Sequence, residues 1–273
     1  MARSHAARFE QVLDRIEVVA VVDIERDKAQ AVADLIEGDL LVETDYRQIF
    51  DNIDAALVVL PHHLHHSATL DCLRAGKHVL CEKPMANSER ECVDMIAEAE
   101  RQGRVLMVAY CMRFHPLVAK MKELIDAKAY GEVFQLSIWT EQLTHPPEGH
   151  WARTAATVGG GQFFSHGCHY IDILLWMLGR PVRGSHYGTN LCTPWMEKEG
   201  TSNATIEFES GALGYHFGTW GAKGTRLGYA FHAHCEEGML ELALGPGQLI
   251  VHTRGGEHVA GKPVARQRQE VLL

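Results

Sequence analysis

The sequence contains no G-x-G-x-x-G, no C-x-x-C pair and no apolar run long enough to span a bilayer. No apolar signal-peptide core opens it, and no repeat or low-complexity tract interrupts it. Positive charge is in deficit: 26 Lys and Arg against 35 Asp and Glu leave a net charge of −9. That removes the electrostatic case for nucleic acid or for an anionic membrane surface. The seven cysteines are odd in number and unpatterned, which reads as reduced thiols in a cytoplasmic protein. Glycine is scarce in one half only: of 25, just Gly38, Gly76 and Gly103 precede residue 131.

What is present is ordinary globular material. The 273 residues are 46% hydrophobic and 22% charged, enough for one large core or two modest ones. The glycine shift suggests two domains, 1–112 and 113–273.

In the first, Phe9, Val12, Leu13 and Ile16 recur at helical spacing and predict a helix over 4–15. Val18 to Val22 read as a strand buried on both faces, ending at Asp23. Helix follows over 27–37, then a strand from Ile53 to Leu60 stopped by Pro61. His65 to Ala75 is helical with Gly76 as its cap, and His78 to Cys81 is a strand running into Glu82-Lys83-Pro84. Ser88 with Glu91 forms a capping box for the next helix, and Val105 to Tyr110 is a further strand. This alternation implies an α/β unit with a parallel, doubly wound sheet.

After Arg113 the pattern changes. A helix over 117–125 and an alternating strand over 133–140 precede Gly159-Gly160-Gly161 and the apolar helix QFFSHGCHYIDILLWMLG. Residues 182–253 break into several strands. This half is expected to be an α+β domain with a mostly antiparallel open sheet, covered on one face by helices.

Three groups of residues carry candidate chemistry. Asp23 ends a strand inside a βαβ unit, where an acid accepts hydrogen bonds from the adenosine ribose of a dinucleotide. An acid there favours NAD over NADP, although Arg26 and Lys28 pull the other way. Lys83 follows a buried strand at its C-terminal end, where doubly wound sheets bind ligands, and could hold a hydroxyl; a surface turn is the plainer role. Ser165, His169 and Asp172 lie at i,i+4 and i,i+3 on one helix, so His169 is either a general base with an orienting partner or a core histidine satisfied by Asp172. The histidines of PHHLHH (61–66) have no Cys or carboxylate beside them, and no metal site is assigned there.

The stretches VVLPHHLHHSATLDCLRAGKHVLCEKPMA, AYCMRFHP and GGGQFFSHGCHYIDILLWMLG together resemble the glucose–fructose oxidoreductase, inositol dehydrogenase and rhizopine-catabolism (Gfo/Idh/MocA) family. The resemblance implies an NAD(P)-dependent oxidoreductase acting on a sugar or polyol. Lys83 would contact the reacting hydroxyl and the cofactor, and His169 would relay the substrate proton. Pro61, His62, His65 and Glu82 would lie along the cofactor with Asp23. Arg113, Trp151 and Arg153 would bind substrate, together with Ser165, His166 and Asp172 on the catalytic helix. A homodimer or homotetramer through the second domain's sheet is implied by the same analogy.

Two departures accompany the resemblance. The family usually has Asp four residues before the histidine, where this chain has Ser165. His166 is expected to point about 100° away on a helix and not to replace it. RSHAARF resembles the segment directly after the family's last fingerprint glycine, with Ala2 in that glycine's place, and the chain stops at RQRQEVLL. The expectation is a chain truncated at both ends, whose parallel sheet lacks its first, central strand and which binds NAD poorly unless something supplies it. A non-catalytic remnant and an NAD-dependent glycosidase are the alternative functions.

Overall fold

The computed structural model describes residues 1–261; the closing RQRQEVLL lies outside the described residues. The chain divides into two units, Met1–Ala109 and Tyr110–Leu273.

The first unit opens with α1 (Ala2–Ala6) and a 3-10 turn at Phe9–Gln11, not the single helix expected over 4–15. Leu13 and Ile16 are 42% and 36% exposed. Their stripe has little to bury against, and a short helix draws most of its stability from packing. Next come β1 (Ala20–Val22), α2 (Arg26–Ala33), β2 (Leu41–Glu43) and a 3-10 helix, Tyr46–Asn52. The last two carry no pattern strong enough to read: β2 is three residues long with Leu41 exposed. They lead to β3 (Ala55–Val58), α3 (His65–Arg74), β4 (His78–Cys81), α4 (Glu89–Gln102) and β5 (Leu106–Val108). Ser88 caps α4 by accepting from the Glu91 N–H, and Glu91 reaches back to accept from Asn87 N–H.

All pairing in this unit is parallel. β1 pairs with β2, and β3, β4 and β5 pair in that order. Among the described residues no ladder joins the two groups. Val58, Leu73, Val79, Cys81 and Met95 form the core beneath α3 and α4.

The second unit contains α5 (Pro116–Asp126), β6 (Val133–Glu141), α6 (Ala155–Val158), a π-helical turn (Phe163–Gly167) and α7 (Cys168–Leu178). Seven strands follow: β7 (Pro181–Thr189), β8 (Thr201–Phe208), β9 (Leu213–Thr219), β10 (Tyr229–Cys235), β11 (Gly238–Ala243), β12 (Gln248–Thr253) and β13 (Gly256–Gly261). They form one eight-stranded sheet in the order 13-12-11-10-6-9-8-7. Only β6 and β9 run parallel. Period-two alternation splits its faces. Leu136, Ile138, Phe231, Leu240 and Val251 bury one face with Val118 and Met121 of α5 and Ile173 and Leu174 of α7. Trp139 stands on the other face, level with Phe217 of β9. Among the described residues no helix is long and apolar enough to cross a membrane.

Candidate functional site

In the first unit the candidate residues gather where the parallel strands end. Asp23 directly follows β1; its N–H donates to the Glu43 carbonyl, and its Oδ1 accepts from Glu25 N–H at 2.9 Å. Lys28 is held by Glu25, Nζ to Oε1 2.6 Å, which raises the lysine's pKa and occupies its charge beside Asp23. Pro61 and His62 follow β3, and His62 is buried with its ring tilted against His65.

His65 is fully buried, and its ring bridges two carbonyl oxygens, Leu60 and Pro84, at 2.8 Å each. It ties the turn after β3 to the turn after β4, a bracing role that uses both ring nitrogens. Glu82 and Lys83 lie in that second turn, which ends in a cis Lys83-Pro84 bond. Burial alone would raise the Glu82 pKa, but His5 at 2.8 Å and the Lys83 charge outweigh it and bring the carboxyl below its usual range. The turn carrying Lys83 is thus pinned by His5 of α1 and by His65 of α3.

In the second unit, Gly159-Gly160-Gly161 delivers the chain into the helical segment that carries His169. Gly159 has φ +80, and a Cβ on Gly161 would lie 2.1 Å from the Glu199 carbonyl oxygen. That carbonyl accepts from Gln162 N–H at 2.7 Å, so only glycine lets the loop close this tightly. The fully buried Gln162 then bridges Thr140 and Ser202.

The π turn changes what the sequence implied about the helix. Inserting one residue into the turn alters which side chains are neighbours. His166 lies edge-on to His169, with ring centroids 6.1 Å apart, the neighbourhood that i,i+3 spacing also gives. His166 Nε2 also meets the Tyr229 hydroxyl at 3.1 Å, and that hydroxyl donates to Gln142. Ser165 and His169 are both buried, and the His169 ring is also edge-on to Tyr110.

Asp172, one turn on, is gripped by Arg113: Nε to Oδ2 2.7 Å and Nη2 to Oδ1 2.5 Å. Both carboxylate oxygens are used, so Asp172 serves Arg113, and Arg113 also lies over the Trp176 ring. Trp151 and Arg153 form a 3-10 turn capped by His150 Nδ1, which accepts from Ala152 N–H.

Sequence reasoning passed over His216. It is fully buried beneath the π turn, stacks on Tyr170 at 5.7 Å, and its Nε2 lies 3.1 Å from Thr140 Oγ1. Burial, reinforced by the charges of His166 and His186, pushes its pKa down to about 3. A histidine in an alternating strand gives no signal of this; only the π turn above it does. Among the described residues, no three His, Cys, Asp or Glu side chains gather to hold a metal.

Two family models cover most of the chain. Residues 1–110 match the oxidoreductase family with an NAD-binding Rossmann fold, and residues 118–241 match the GFO/IDH/MocA C-terminal domain. Inositol 2-dehydrogenase 2 of Saccharopolyspora erythraea is 29% identical over 67% of this chain and 52% of its own length. The 1-carboxy-3-chloro-3,4-dihydroxycyclo hexa-1,5-diene dehydrogenase of Comamonas testosteroni is 32% identical over 82% of this chain and 55% of its own. The chain therefore spans little more than half the length of these relatives. Levoglucosan dehydrogenase, solved with NADH and levoglucosan, shares the fold with a TM-score of 0.86 at 21% identity, over 100% of this chain and 80% of its own.

NAD, the cofactor of this family, fits these residues in part. Asp23 follows β1, and the turns after β3 and β4 carry His62, Glu82 and Lys83 at the C-terminal ends of their strands, the end at which doubly wound sheets bind ligands. No G-x-G-x-x-G cradles a pyrophosphate. By its two matched domains and its fold, the chain belongs to the Gfo/Idh/MocA oxidoreductase family.

Proposed function

We propose that this chain carries the NAD-linked oxidation of a hydroxyl carbon of a sugar, polyol or related substrate, with NADP as the lesser cofactor. The observation that carries the reading is the helix of His169. A buried histidine follows a π turn there, beside a second histidine and one turn from a two-point Arg113–Asp172 fork. A base on a helix held this way keeps its geometry.

When bound, NAD supplies the hydride acceptor. The protein's part is to hold and deprotonate the hydroxyl. Lys83 donates a hydrogen bond to the hydroxyl oxygen and favours its deprotonation by charge, and His169 accepts the proton. Ser165 and His166 contact the substrate beside His169, while Asp23 holds the ribose and Pro61, His62 and Glu82 line the cofactor. Arg113, Trp151, Arg153 and Asp172 shape the substrate side. The test is NADH formation by the purified chain over a panel of inositols, hexoses and amino sugars. Activity on none of them at millimolar NAD removes the reading.

Ser165 favours a second reading, ligand binding without turnover, because a serine cannot stabilise an imidazolium with a full charge. Substrate binding without NADH formation would select it. The open sheet face, with Trp139 beside Phe217 and Val259 46% exposed, supports self-association into a dimer or tetramer; light scattering of the purified chain tests it.

A further inference from the structure

The two arginines of the second unit's candidate site are in opposite states. Arg113 is charge-paired with Asp172. Arg153 is half-buried and meets no carboxylate among the described residues. Its Nη2 donates to His145 Nε2 at 3.3 Å, and its Nε is shut off from water with no acceptor. An arginine can only donate, so His145 is the acceptor and neutralises nothing. A guanidinium with no carboxylate beside it has a charge that an anion would pair through its Nη groups.

The surroundings point the same way. The acid on the His169 helix, Asp172, is consumed, and position 165 is a neutral serine. Glu197, whose N–H donates to the Arg153 carbonyl, turns its Oε2 onto Ala155 N–H and away from the guanidinium's needs. Beside Arg153 is an aromatic stack. The exposed His145 ring lies 5.5 Å from Trp195, and Trp195 stacks on Trp220 at 6.4 Å. Such faces take the C–H face of a sugar ring. One loop stitches this corner to the catalytic helix: Glu197 bonds Arg153, and Glu199 bonds Gln162 directly before the π turn.

We propose that the substrate is a sugar acid, its carboxylate held by Arg153 and its ring laid against the His145–Trp195 stack. This rests on the oxidoreductase reading for turnover but not for binding. The planar carboxylate matches the guanidinium fork bidentately; a phosphate does so too and is the competing anion that the test separates.

The test compares glucuronate, glucose and glucose 6-phosphate by titration calorimetry, with and without NADH, and by NADH formation. Glucuronate binds at least tenfold tighter than glucose. Arg153→Gln takes at least tenfold more affinity from glucuronate than from glucose, and Arg153→Lys, which keeps the charge and loses the fork, falls between. Equal binding of glucuronate and glucose, equal losses in the variant, or tighter binding of glucose 6-phosphate overturns the proposal. Arg153-dependent glucuronate binding with no NADH from any substrate keeps this subsite and removes the oxidoreductase reading. NADH from glucose and none from glucuronate does the reverse.

Discussion

Arg113 and Asp172 meet through a two-point fork, 2.7 and 2.5 Å, across 59 positions of sequence. The fork fixes α7 against the turn that follows Tyr110, three residues from His169 in the chain. The Asp172 side chain is 10% exposed, so removing its partner strands a buried carboxylate. Arg113→Ala is expected to destabilise the second unit by about 1–3 kcal/mol, and Arg113→Lys, which cannot fork, to recover only part of it. All five tryptophans lie in this unit, so urea unfolding followed by tryptophan fluorescence reads it directly.

The approach of Gly161 to Glu199 gives a second prediction. A methyl group on Gly161 would meet a backbone oxygen at 2.1 Å, and a backbone cannot swing aside as a side chain can. Gly161→Ala is expected to destabilise by about 1–3 kcal/mol and to loosen Gln162 at the entrance to the π turn. The same fluorescence melt measures the stability, and a wild-type midpoint would refute the packing described.

His216 sets a pH dependence. Its folded pKa is pushed down to about 3 by burial and by His166 and His186, against about 6.5 for an unperturbed histidine. The unfolded chain therefore binds the extra proton first, so stability is full above about 6.5 and drains away as pH falls toward 3. At pH 5 the loss relative to neutral pH is about 2 kcal/mol from this group. His216→Gln keeps a donor for Thr140 and cannot titrate, so its stability should fall less between pH 7 and pH 5. Parallel pH slopes in variant and wild type would show that another group carries the effect.

Much of this was legible in the sequence because the elements concerned satisfy local and global demands together. HVLC ends in Glu82-Lys83 because a strand buried on both faces needs unbroken apolar residues. Ser88 and Glu91 announce α4 because its first N–H groups need acceptors. What could not be read depends on contacts distant in sequence. Leu13 and Ile16 have helical spacing, yet the stripe stays exposed and the helix does not form. The π turn has no periodicity of its own, so the buried His216 beneath it was hidden. Nothing local in the sequence shows that both nitrogens of His65 lie against the Leu60 and Pro84 carbonyls.

The Ser165 position allows a chemical test of the helix. Ser165→Asp places a carboxylate one turn before His169, where it would stabilise a protonated imidazole. The acid limb of the pH–rate profile should then move to higher pH, read from kcat/KM for the best substrate. An unmoved limb would mean that His169 is not the group that titrates.

The most direct measurement of the central claim is NADH formation by the purified chain, beside its Lys83→Ala and His169→Ala variants, over sugars, polyols and sugar acids. The account predicts NADH from at least one substrate and a fall of more than tenfold in turnover for either variant. No NADH at millimolar NAD, or near-normal turnover in the lysine variant, would contradict it.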